Sequence, residues 1–296
     1  MMEVLFLGTP RYAAEEAIRT RVADPANVEP PPVRTVARRA AWRPRPSVLL
    51  LASLVFWLGL WSLAAWLAWV PPLFLPSPLA VAARFATTLT SGFADATLLE
   101  HAAASLGRVL FALAFALGLG IPLGIGMGLS PWVRGIFDPV IEAYRPIPPL
   151  AYLPLVVIWF GIGEGPKILL IFLAILPPIT LSTAAGVRGV PLERINAALT
   201  LGANRFQLLR DVILPNALPD ILVGTRIGLA VGWSTLVDAE LVAATRGLGF
   251  MIHTASNFLV TDVVIVGIIT IAAIAFAMEF AMRLLERRLT PWKDKQ

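Results

Sequence analysis

The 296-residue chain has no cysteine, which removes disulfides, thiol catalysis and thiolate metal sites together. Charge is scarce: Asp, Glu, Lys and Arg make up 15% of residues, against roughly a quarter in soluble domains. There are two histidines, His101 and His253, far apart in sequence. No cluster of histidines and carboxylates has metal-ligand spacing. A phosphate-cradling loop is missing as well. Gly165-Pro166-Lys167 lacks both the spacing and the following Ser or Thr. The chain is therefore expected to carry no catalytic residue, no metal and no cofactor of its own.

What the chain has in excess is apolar residues. Hydrophobic side chains account for 57% of it, and its mean hydropathy is +0.77. That balance points to lipid as the solvent. The net charge of +5 could suit nucleic acid, but basic cytoplasmic loops are also what a membrane protein needs. Six apolar segments are expected as spans, near 47–70, 104–129, 136–160, 167–189, 218–242 and 262–284. Each is close to the ~20 residues that cross ~30 Å of hydrocarbon. They are solid apolar runs rather than alternating short strands, so helices are expected and a barrel is not. The fold class is an all-α polytopic membrane protein with about six transmembrane helices: five core helices plus an added N-terminal one.

The division expected is a poorly ordered cytoplasmic tail at 1–46 and a first span at 47–70. An outer connection at 71–103 follows, then a core domain at 104–284 with a cytoplasmic loop at 190–216, and a C-terminal tail at 285–296. The Pro-rich, Arg-rich tail has too short an apolar patch for a secretory signal. Of the 24 basic residues, Arg84, Lys167 and Arg246 fall on outer connections when the N-terminus is placed inside. Arg108, Arg145 and Arg226 lie in or at the edges of spans, and the others fall on inner segments. This asymmetry predicts both termini in the cytoplasm. Leu75-Pro76-Ser77-Pro78 opens the outer connection as a stiff turn, and 79–90 is expected as a short amphipathic surface helix.

The loop between spans four and five is the most informative stretch. Pro191 suits the first turn of a helix. Gly202 allows a tight or left-handed turn. A second helix near 203–213 is expected to place Phe206, Leu209 and Val212 or Ile213 on one side, with Pro215 ending it. Two short helices joined at a glycine can project into a groove on another protein. The loop resembles the EAA loop of binding-protein-dependent ABC importer permeases. That pattern is Glu-Ala-Ala, three residues, Gly, nine residues, Ile-x-Leu-Pro. Here Asn196-Ala197-Ala198, Gly202 and Val212-x-Leu214-Pro215 keep the spacing, with Asn196 for Glu and Val212 for Ile. Tyr144 to Glu164 and Arg226 to Glu240 are similar to the nitrate/sulfonate/taurine subfamily of those permeases. Ala244 to Phe250 and Leu289 to Trp292 look most like its taurine members.

The resemblance covers roughly 70–293 and implies a MetI-like permease fold. It also implies a homodimer with the pathway between two copies, in the bacterial inner membrane. Two ATPase subunits that bind ATP and Mg would dock inside, and a periplasmic binding protein would dock outside. The expected solute is a sulfonate such as taurine, with an alkanesulfonate or another small organic anion as the alternative. The coupling contact would be Glu193, Asn196, Ala197, Ala198, Gly202, Ala203, Arg205 and Phe206. Candidate pathway residues are Tyr144, Arg145, Tyr152, Trp159, Trp233, Ser234 and Glu240.

Other features admit two readings. Gly120, Gly124 and Gly128 form a stripe for close helix packing or for a moving interface. Span three is interrupted by Pro146, Pro148, Pro149 and Pro154, and interrupted helices often line transport pathways. Arg145 either snorkels to headgroups, neutralises Asp138 or Glu142, or helps an anion through. Arg226 reads as half of a structural ion pair. Asp238 and Glu240 approach the outer end, where a binding protein or an outer gate would be, beside the polar strip Trp233, Ser234 and Thr235. A membrane-embedded enzyme would need clustered acids and histidines within the spans. An autonomous secondary carrier would usually show internal repeats, and none is visible.

Overall fold

The computed structural model describes residues 46–241 and 244–292, with side chains from Val48 onward. The expected tail at 1–45 and the last four residues lie outside the described residues. Two compact units are distinguished, 1–54 and 55–296. In the first, the described residues 46–54 are helical and their described side chains are exposed. They begin helix α1 (Pro46–Trp66), which is apolar all round, as a lipid-facing helix is.

In the second unit, Trp61 in α1 donates its indole N–H to the Pro76 carbonyl (3.1 Å). Helix α2 (Pro78–Thr90) begins one residue before the expected 79, with Pro78 in its first turn rather than in the preceding one and the Ser77 hydroxyl accepting from the Ala80 amide. Helix α3 (Leu98–Leu129) opens with a reciprocal cap between Thr97 and Glu100. It therefore begins six residues before the expected 104. His101, in the added first turns, is buried in the helix, as are Ser105 and Arg108 after it.

The third expected span is two helices, α4 (Pro131–Tyr144) and α5 (Pro149–Phe160). Pro146 and Pro148 separate them by withholding amide donors. Helix α6 (Glu164–Arg188) and the short α7 (Leu192–Thr200) follow.

Helix α8 then runs unbroken over Arg205–Leu241, so the second loop helix and the fifth span are one element. Pro215 does not end it. A π-helical stretch at Leu208–Ile213 immediately precedes the proline, and such a wide turn accommodates a missing donor inside a continuing helix. Helix α9 (Leu248–Asn257), which the sequence reading did not anticipate, precedes α10 (Thr261–Leu289). Among the described residues, α1, α3, α6, α8 and α10 are long and apolar enough to cross a membrane, and α5 is a shorter apolar helix. Together they agree with an all-α polytopic protein of about six spans.

Helix α6 is the centre of the bundle, packed against α3 on one side and α8 on the other. Small residues make both contacts. A Cβ on Gly124 would lie 2.6 Å from the Thr180 carbonyl, and one on Gly128 would lie 2.6 Å from the Val187 Cβ, both on α6. The glycine stripe of α3 is thus an intramolecular seam. A second stripe in α8, Gly224 and Gly228, meets Ser182 and Ile175 of α6 in the same way. Val109, Ala112, Ile171, Ile175, Leu229 and Leu236 fill the space between.

Candidate functional site

At one end of the bundle, α6 ends at Arg188 and α8 begins at Arg205, so the loop between them stands clear of the core. Helix α7 stops in a Schellman turn. The Ala203 amide donates to the Ala198 carbonyl (3.0 Å) and the Gly202 amide to the Leu199 carbonyl (2.9 Å). Gly202 takes φ +84° there, and a Cβ on it would meet nothing within 4 Å. Asn204 then caps α8, its side chain and that of Gln207 bonding each other's backbone amides at 2.9 Å. Two caps within three residues fix the angle between α7 and α8. Ile195 and Val212 secure the underside against Val187, Val190 and Ala217. Arg194 donates to the Asn216 side chain, tying α7 to α8.

The outer surface of this elbow is uncovered. Leu201 is 89% exposed and Phe206 68%. Of the expected coupling residues, Glu193, Asn196, Ala197, Gly202, Arg205 and Phe206 are exposed, while Ala198 and Ala203 are half-buried. All eight come together on this elbow. Phe206 does not share a side with Val212 and Ile213 as expected. Those two turn into the core with Leu208 and Leu209, and Phe206 points away.

The opposite end holds a charge cluster, buried at Arg108, Lys167 and Glu240 and open to solvent at Glu164. Arg108 on α3 donates to both oxygens of Glu164 at the start of α6 (2.5 and 2.8 Å). It also donates to Glu240 near the end of α8 (2.5 Å) and to the Arg246 carbonyl (2.8 Å). Lys167 donates to Glu164 at 3.0 Å. Glu240 also accepts from the Ser105 hydroxyl (2.7 Å) and the Gly249 amide (2.7 Å). The Leu248 amide donates to Ser105 Oγ, and the Gly247 amide to His101 Nδ1. His101 must then carry its proton on Nε2, which faces the Phe93 carbonyl at 2.9 Å. The first amides of α9, which no helix can satisfy internally, are thus met by α3 and by a carboxylate whose charge suits a helix N-terminus.

Glu240 was expected on a pathway or at an outer contact. Its side chain is 0% exposed, so it is reassigned to this interior cluster. Sequence reasoning missed the cluster because Arg108, Glu164, Lys167 and Glu240 come from three helices. The available signal was that two cations and two anions occurred in or beside otherwise apolar runs.

The remaining candidates divide. Tyr144, Arg145 and Tyr152 line one cavity of about 200 Å³ at the α4–α5 break, closed on its far side by α6 and α8. Ser234 lies on an exposed stripe of α8 with Ile227 and Val231, while Trp233 is buried in the core and Trp159 is exposed on α5. Arg226 stands 3.8 Å from Glu279 and 3.7 Å from Glu286 on α10, the structural pair expected of it. Asp138 pairs with Arg134 at 3.1 Å, not with Arg145. Among the described residues no group of acids and histidines could hold a metal ion.

Residues 120–291 match the family described as binding-protein-dependent transport system inner membrane component. The taurine transport system permease protein of Escherichia coli is 58% identical over 86% of this chain and 94% of its own length. A putative aliphatic sulfonates transport permease protein of the same organism is 41% identical, over 79% and 88%. Among solved structures, an inward-facing methionine ABC transporter superposes with a TM-score of 0.56 at 19% identity, over 65% of this chain and 96% of that one. This last likeness establishes the shared fold.

Proposed function

The chain belongs to the family of binding-protein-dependent transport system inner membrane components, and on that premise we propose that it is the permease subunit of an importer for taurine or a closely related sulfonate. Two copies form the pathway. Two ATPase subunits dock on the Gly202 elbows at the cytoplasmic face, and a periplasmic binding protein delivers solute to the other face. Both termini are cytoplasmic, which the distribution of Lys and Arg supports. Taurine is favoured because the 58% relative is a taurine permease and is matched over nearly its whole length.

The observation that carries the reading is the elbow itself: a doubly capped, exposed apolar corner, joined directly to a 37-residue helix. The sequence carries no phosphate-cradling loop of its own, so in this reading the drive comes from the partner ATPase. Here α8 is a continuous rod from the elbow through the bundle. When the ATPase pair closes, the two elbows are drawn together, and α8 carries that displacement past α6 toward the far face. Solute access then alternates between the two sides.

The test is uptake by proteoliposomes holding the chain, its ATPase and its binding protein. Gly202→Asp should insert and fold, since its side chain has open space and Asp tolerates the left-handed region, yet ATP-driven taurine uptake should be abolished. Gly202→Asn, which keeps the backbone without the charge, should retain part of it. Full uptake by the Asp variant would rule out coupling through this turn.

A further inference from the structure

The cavity at the α4–α5 break has an arrangement that its position on a pathway does not by itself require. Its only cation is Arg145, and among the described residues no ion pair joins it to a carboxylate: Asp138 is paired with Arg134, and Glu142, three positions before Arg145, is exposed on α4. The Tyr144 hydroxyl is shielded from solvent and has no hydrogen-bond partner. Leaving such a donor unmet costs roughly 1–3 kcal/mol.

The opposite wall lacks two helical donors. Leu173 and Ala174 line it, and the residues four positions later are Pro177 and Pro178. Neither proline has an amide proton, so the carbonyls of Leu173 and Ala174 lack their usual helical donors. In a membrane interior such carbonyls need another partner. Tyr152 adds an aromatic face, and aromatic faces attract ammonium groups.

We infer that this cavity is a transient binding site for a small zwitterion: Arg145 and the Tyr144 hydroxyl take its sulfonate, and the Leu173 and Ala174 carbonyls with Tyr152 take its ammonium. The assignment rests on the import reading above and adds to it a site within the permease. Size agrees. Pockets for drug-sized ligands run to roughly 300–1,000 Å³, and about 200 Å³ admits only a short-chain solute. Position agrees as well, because the lining residues come from the middle of α6 and α8, where transporters place solute beside broken helices. A cation facing carbonyl dipoles and an aromatic ring suits a zwitterion better than a simple anion.

The absence of cysteine makes the test direct. Val231, exposed on the cavity wall, is replaced in V231C, and the full-length protein in liposomes is labelled with a small anionic thiol reagent. Taurine should slow labelling strongly, while ethanesulfonate and ethylamine, each half of the zwitterion, should protect less. Adding Arg145→Gln should reduce taurine protection by roughly tenfold, the loss of one charged hydrogen-bonding partner. Adding Tyr144→Phe should weaken it less. No labelling, no protection by taurine, or protection unchanged by Arg145→Gln would each overturn the site. Uptake by the complete transporter separates the two claims. Taurine uptake without protection leaves the import reading standing and removes the cavity. Protection without taurine uptake does the reverse.

Discussion

The two ends of the α6–α8 pair solve opposite problems. At the elbow end, backbone groups are capped locally, within a few residues, and large apolar side chains are left uncovered. At the other end, Arg108 and Glu240 are buried and satisfied at long range through contacts among α3, α6 and α8, while the Glu164 carboxylate that completes the set stays exposed. Helix α6 joins the two over 25 residues, roughly 37 Å at about 1.5 Å per residue. The difference separates holding from signalling. One end secures the helices to each other and to α9. The other is rigid in itself but open to a second protein. The proposed lever uses both, and variants at the two ends should fail in different ways.

The largest effect on stability is expected at the buried charges. Arg108→Ala leaves Glu240, with its fully buried side chain, without its cation. Removing one partner of a buried pair costs about 3–5 kcal/mol. The measurement is denaturant-driven unfolding of the purified chain in mixed micelles. Pairing Arg108→Met with Glu240→Gln should recover part of the loss, because no uncompensated charge then remains. If the double variant were as unstable as the two single changes combined, the cluster would not be acting as an ion pair.

A smaller loss is expected at the elbow from Asn204→Ala, which deletes the side chain that accepts from the Gln207 amide (2.9 Å). Loss of an N-cap costs about 0.5–2 kcal/mol. The same unfolding assay reads it. Because the cap sets the angle between α7 and α8, uptake should fall more than stability does. A proportional fall in both would make the elbow an ordinary loop.

These two ends were unequally legible in the sequence. The elbow's residues are consecutive, and its logic is local: a helix stop, a glycine, a cap and a restart. The spacing of Asn196, Ala197, Ala198 and Gly202 was therefore enough to place it. Its continuation was not legible, because Pro215 reads as a stop unless the π turn before it is known. The buried cluster was illegible for the converse reason. Arg108 bonds Glu164 and Glu240 across 56 and 132 residues, and a single sequence carries no record of which distant charges meet. The same holds for α9. Its start depends on amides met by His101 and Ser105, not on a local cap. The α4–α5 break was visible as prolines. That Tyr144, Arg145 and Tyr152 share a cavity with Pro177 and Pro178 depended on how α6 packs, which only the fold supplies.

The smallest expected effect on stability separates the two ends most sharply. Phe206 is 68% exposed and no part of the core cluster beneath the elbow includes it. Phe206→Ala should therefore change unfolding free energy by no more than about 0.5 kcal/mol. An exposed aromatic beside an exposed leucine is nonetheless what an interface anchor looks like, and truncating such an anchor can cost upward of about 2 kcal/mol in association. Co-purification of the ATPase with the variant permease should accordingly drop by roughly thirtyfold in apparent affinity, since each 1.4 kcal/mol is about tenfold. Arg108→Ala, corrected for its lower folded fraction, should leave that affinity unchanged. If Phe206→Ala destabilised the chain without weakening the association, the residue would belong to the interior, and the elbow would lose the feature that makes it a docking surface.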